Sequence, residues 1–239
     1  MDSYLNTFLF GIYPYIALAV FLVGSLIRFD REQYTWKSDS SQLLRRGQLR
    51  LGSNLFHLGI LGIFGGHFVG LLTPMGIWHA LGVEASHKQL IAIVAGGIFG
   101  VMMLIGLVVL MHRRMSEPRI RATTKGSDWL VLWLLLVQLV LGLASLPVSA
   151  GHMDGGQMVK LMTWAQHILT FRGDAASFVV DAAPVFKLHL LLGMTIFLLF
   201  PFSRLVHVWS GFASVAYLFR PYQVVRSRRL NLPAGHNTP

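Results

Sequence analysis

Four histidines, His57, His67, His189 and His207, lie in otherwise apolar sequence, where an imidazole has no water to bond. His57 and His67 belong to residues 52–74, GSNLFHLGILGIFGGHFVGLLTP, and His189 and His207 to residues 184–209. A ring so placed either hydrogen-bonds to a neighbouring helix or ligates a metal. For one histidine those readings balance; four on two segments favour the metal. The 239 residues include no cysteine, which excludes disulfides, iron–sulfur ligation and thiolate haem ligation by this chain. The donors left are imidazoles, and imidazole pairs suit haem iron and one-electron chemistry.

The elements that must position these rings are membrane helices. The chain is 54% hydrophobic, with a mean hydropathy of +0.59. Several nearly uncharged runs reach the 18 or more residues needed to cross about 30 Å of hydrocarbon. Five spans are expected, at about 4–27, 51–72, 88–112, 129–150 and 184–209, giving an all-α integral membrane bundle of five transmembrane helices. Of the 20 lysines and arginines, only Lys88, Lys160, Arg172 and Lys187 fall outside 28–50, 113–125 and 204–229. Basic loops stay cytoplasmic. The N-terminus is therefore expected in the periplasm and the C-terminus in the cytoplasm of a bacterial inner membrane, and the net charge of +10 reports topology, not a nucleic-acid partner. Residues 1–210 form the membrane domain in this reading, and 211–239 a basic cytoplasmic tail. The first span lacks a basic leader and a small-residue cleavage site, so it is not expected to be a signal peptide. Pro14 and Pro201 should disturb their helices. Ser127 and Asp128 are candidate caps for the fourth span. Residues 155–171 read as a short amphipathic helix lying at the surface of an external loop. No internal repeat suggests a transporter of inverted halves.

Topology then pairs the histidines. The second span runs outward and the fifth inward, so His57 faces His207 near the cytoplasm and His67 faces His189 near the exterior. The ten residues between His57 and His67 cover about 15 Å of helix. The eighteen between His189 and His207 cover about 27 Å and five whole turns, so both rings should face one side. The two spacings differ by about 12 Å. Gly52, Gly59, Gly62, Gly65, Gly66 and Gly70 strip side chains from the second span, as a flat macrocycle against backbone requires. Arg204, one turn before His207, is a candidate partner for the propionates of the inner haem. Arg113 and Arg114 read as ordinary flanking residues, Met158 and Met162 as filling, and the other histidines as solvated surface.

The strings YPYIA (13–17), QYTW (33–36), SNLFHLGILGIFGGHF (53–68), LLTP (71–74), RIRATT (119–124), HMDG (152–155) and FKLHLLLGMTIFLLFPFSRLVHVWS (186–210) carry a resemblance. Over about residues 4–226 the chain resembles the gamma subunit of membrane-bound respiratory nitrate reductase, a di-haem cytochrome b. The resemblance implies two b haems, the cytoplasm-side one on His57 and His207 and the periplasm-side one on His67 and His189. It also implies a quinol site beside the outer haem, contacted by Lys88 and lined by Gly66 and His67. No catalytic residue is assigned. Quinol would be the substrate, and an iron–sulfur beta subunit and a molybdenum-cofactor alpha subunit the partners. The external loop MGIWHALGVEASH (75–87) departs from the family pattern, leaving Lys88 without an assigned neighbour. Two other readings remain open: the cytochrome b anchor of another respiratory oxidoreductase, such as a hydrogenase, formate dehydrogenase or sulfur-cycle complex, and a haem-free transporter.

Overall fold

The computed structural model describes residues 2–32 and 44–210. Five of its helices are long and apolar enough to cross a membrane: Tyr4–Arg31, Arg46–Leu72, Ala85–Ser116, Gly126–Ala150 and Pro184–Phe202. No strand occurs among the described residues. The five expected spans are all present, each within a few residues of its expected limits except where the fifth breaks early. The basic tail 211–239 and the string QYTW lie outside the described residues.

From the second span onward, neighbours in sequence are neighbours in space. The second span packs on the third, the third on the fourth, the fourth on the fifth, and the fifth on the first. The tightest seam joins the second and third spans. A Cβ on Gly59 would stand 2.6 Å from the backbone nitrogen of Met103, and one on Gly106 would collide with the backbone of Phe56. Glycines let these two backbones touch, which is how helices associate where lipid is as apolar as leucine. The second and fifth spans, by contrast, share no packed seam.

Two prolines shape the bundle. Pro14 has no N–H to give the carbonyl of Phe10, and the turn before it, Phe8–Ile12, relaxes into a π-helix. Pro201 ends the fifth helix. Regular α-helix stops at Leu199, and Phe200–Phe202 and Arg204–Val206 are single 3-10 turns separated by an extended Ser203 (φ −118°, ψ 175°). Arg28 clasps this break, donating to the carbonyls of Pro201 (2.7 Å) and Ser203 (2.9 Å). One continuous helix of five turns from His189 to His207 is therefore wrong. The eighteen residues do not follow one axis, and the 12 Å mismatch that such an axis implied does not arise.

At the end away from the arginines, helix Gly156–Leu169 caps the bundle. It is the short amphipathic helix expected in this loop, and its apolar face, with Met162, Trp164, Ala165 and Ile168, is turned inward and buried. Its entry depends on Gly155, whose φ of +78° suits glycine and whose absent Cβ would fall 2.7 Å from Ala85. The fourth span starts at Gly126 with Lys125 as its uncapped N-cap residue. Asp128 is no cap; its carboxylate is held elsewhere, as described next.

Candidate imidazole-pair sites

The two spans that do not pack together face each other across the four histidines. The His57 and His207 ring centroids are 6.2 Å apart, and those of His67 and His189 are 6.1 Å apart. The expected pairings are therefore the ones the fold brings together.

Each ring is oriented by a carbonyl. Nδ1 of His57 lies 2.7 Å from the Ser53 oxygen, that of His67 2.8 Å from Ile63, that of His207 2.6 Å from Arg204, and that of His189 3.1 Å from Gln138. A carbonyl only accepts, so Nδ1 carries the proton in all four rings and each Nε2 keeps its lone pair. This is the usual arrangement behind a metal-ligating histidine.

Such donors fit a haem. Iron–imidazole bonds of about 2 Å, with a ring centroid roughly 1 Å beyond each nitrogen, put the centroids of two axial ligands about 6 Å apart. Among the described residues no three His, Cys, Asp or Glu side chains gather, so the donor count suits two axial positions better than a tetrahedral zinc site. The face of the second span beside His67 is bare as well: a Cβ on Gly65, Gly66 or Gly70 would meet nothing within 4 Å. The glycines thus divide. Gly52, Gly59 and Gly62 abut the third span, while Gly65, Gly66 and Gly70 leave room for a flat group.

The arginine-rich end holds the His57–His207 pair. Arg204 and Arg114 flank Asp128, at 3.5 Å and 3.7 Å from its two oxygens. Two cations share this one carboxylate, and Arg204 lies three residues before His207. Arg113, expected to be an ordinary flank, is 3% exposed and donates to the carbonyl of Leu44 at 2.7 Å.

At the opposite end Lys88 is 4% exposed, not snorkelling. Its Nζ donates to the carbonyl of Gly70 (2.7 Å), one turn past His67, and to Met162 Sδ (2.9 Å), and lies 5.4 Å from the centre of the Trp78 ring. These are the neighbours the sequence left unassigned. Trp78 Nε1 is itself buried without a partner. Beside Lys88, Gln89 donates to the carbonyls of Ser149 (2.6 Å) and His152 (2.7 Å), tying the third span to the fourth. Gln138, Met162 and Trp78 escaped sequence reasoning. Gln138 alone had a signal, as a lone amide inside the apolar run LLLVQLVLGL.

Five membrane-length helices with opposed imidazole pairs at two levels define an integral membrane protein of the histidine-paired bundle class. Comparison with known proteins narrows this. The family described as nitrate reductase gamma subunit matches residues 6–228. The chain is 56% identical over 227 residues to the respiratory nitrate reductase 1 gamma chain of Escherichia coli (strain K12), covering 95% of this chain and 99% of that one. It is 38% identical over 221 residues to the nitrate reductase gamma chain of Bacillus subtilis (strain 168), covering 92% and 97%. The chain belongs to the nitrate reductase gamma subunit family, and is a multi-pass inner-membrane protein.

Proposed function

We propose that this protein is the quinol-oxidising cytochrome b subunit of a respiratory nitrate reductase. The observation that carries the reading is the pair of imidazole pairs, each ring with its Nδ1 on a carbonyl and so a lone pair on Nε2, on two spans that do not otherwise pack. His57 and His207 would hold one b haem and His67 and His189 the other. When bound, these haems supply one-electron transfer between a quinol and an iron–sulfur partner.

The chain's own residues supply the rest. Lys88 is a buried ammonium whose neighbours, a carbonyl, a thioether and an indole face, do not neutralise it. One of its three N–H groups is left for a substrate oxygen. A quinol oxygen meets that need, and Trp78 Nε1 offers a second donor nearby. Gly66 lines the approach to His67 without a side chain. Positive-inside topology makes this the periplasmic end, so quinol protons leave to the periplasm while electrons move inward. Charge separation of that kind is worth about 2.3 kcal/mol per charge per 100 mV. The arginine-rich end, with the tail 211–239, faces the cytoplasm, where an iron–sulfur beta subunit would dock and a molybdenum-cofactor alpha subunit would reduce nitrate. Arg204, three residues before His207, would hold propionates of the inner haem.

A dithionite-reduced minus oxidised spectrum of purified membranes tests the reading. A b-type alpha band with two haems per chain by pyridine extraction is expected; neither band nor extractable haem would refute it.

A further inference from the structure

His57, His67 and His207 each donate Nδ1–H to a carbonyl three or four residues earlier in their own chain segment. His189 does not. Its acceptor is the carbonyl of Gln138, on the fourth span. The Gln138 side chain turns to the same residue, donating from Nε2 to the His189 carbonyl at 3.1 Å and standing 3.4 Å from His189 Nε2. Two glycines make the approach possible. A Cβ on Gly142 would lie 3.0 Å from His189 Cε1, and one on Gly193 would lie 3.2 Å from Gln138 Nε2.

We infer that the fourth span is the orienting wall of the His67–His189 site, with Gln138 a positioning residue for His189 and Gly142 the gap that seats its ring. The inference rests on the haem reading above. Burying a primary amide among leucines, with its Oε1 left without a partner, is costly unless the group has a task. Here the backbone of Gln138 sets the tautomer of His189, and the side chain holds the fifth span at the distance that keeps this bond. A carbonyl on Nδ1–H raises ligand basicity, which favours the oxidised iron, and the amide dipole adds polarity that favours the charged form.

The test compares Gln138→Leu and Gly142→Ala in the intact complex, by potentiometric titration of both b haems and by low-temperature paramagnetic resonance. Gly142→Ala pushes the ring off the Gln138 carbonyl; Gln138→Leu removes the dipole at nearly constant volume. The midpoint of the haem that His67→Ala abolishes should rise in both variants, and its low-spin signal should shift. The other haem should be unchanged. Loss of that one haem in Gly142→Ala, with Gln138→Leu shifted, also supports the assignment. Unmoved midpoints in both variants, or equal changes in both haems, would overturn it. Absence of b haem from the unaltered complex is a different result, and refutes the proposed function itself.

Discussion

The indole of Trp164 donates to the carbonyl of Phe10 at 2.8 Å, across 154 residues of chain. That carbonyl is the one Pro14 cannot satisfy, because proline brings no N–H to the position four residues on. A proline in the first span thus creates an acceptor, and the capping helix Gly156–Leu169 answers it. The cap that covers Lys88 is thereby fastened to the first span. Trp164→Phe keeps most of the buried ring and deletes the donor, leaving a buried carbonyl unpaired at a cost of about 1–3 kcal/mol. A lower thermal midpoint in detergent, with the haem spectrum unchanged, is the expected outcome.

The ring pairs make a sharper prediction. His67→Ala and His189→Ala should each remove the same haem, and His57→Ala and His207→Ala the other, so every variant retains half the extractable haem. Potentiometric titration identifies which component is lost. If His57→Ala and His67→Ala abolished the same component, the pairing seen at 6.2 Å and 6.1 Å would not be the ligating one.

These pairs were legible before any coordinates because the positions of arginine fix which way each span runs, and antiparallel spans match histidines by depth. The path of the fifth span was not. Pro201 was visible, but a proline signals a disturbance without its direction, and the extended Ser203 follows from Arg28 capturing two carbonyls on a distant span. Contacts such as Lys88 with Met162, or Gln138 with His189, join residues 74 and 51 apart. They depend on how helices lean, which hydropathy does not encode. The glycines were legible as a group, yet only backbone distances separate those that seat the third span from those that face open space.

Lys88→Ala should spare both haems and weaken quinol. A charge-assisted hydrogen bond contributes about 1.5–3 kcal/mol, so binding of a quinol-analogue inhibitor should fall about 10- to 100-fold. Inhibitor titration of quinol-dependent haem reduction measures this. Loss of a haem would instead make Lys88 a structural residue.

On the capping side, His167 Nδ1 donates to Asp174 Oδ1 at 2.7 Å. That hydrogen bond, the main cause, holds the Asp174 carboxyl below its ordinary value of 3.8. A depressed carboxylate stabilises the fold above its unfolded value, and the contribution disappears as pH falls from about 4 through the lowered one. Asp174→Asn should remove this acid sensitivity. The unfolding midpoint of the variant should change less than that of the parent between pH 5 and pH 3, values of about the range where such linkage acts. Asp174 is largely exposed, so the difference should be small.

The glycines of the second span allow the two roles to be separated. Gly59→Ala places a methyl 2.6 Å from the Met103 backbone, which cannot retreat without parting the second and third spans. Gly65→Ala meets nothing within 4 Å, and alanine is the better helix former by about 1 kcal/mol. Judged by protein packing alone, the first change should destabilise the bundle and the second should strengthen it slightly. Should a macrocycle lie against Gly65, however, the methyl occupies its place, and the haem of the His67–His189 pair should be lost or shifted while the fold survives. Thermal melts read with haem content distinguish the cases. Gly65→Ala that is both stable and fully haem-loaded would mean the bare face is not where the macrocycle lies, and would leave the ligand pair correct but its plane wrongly assigned.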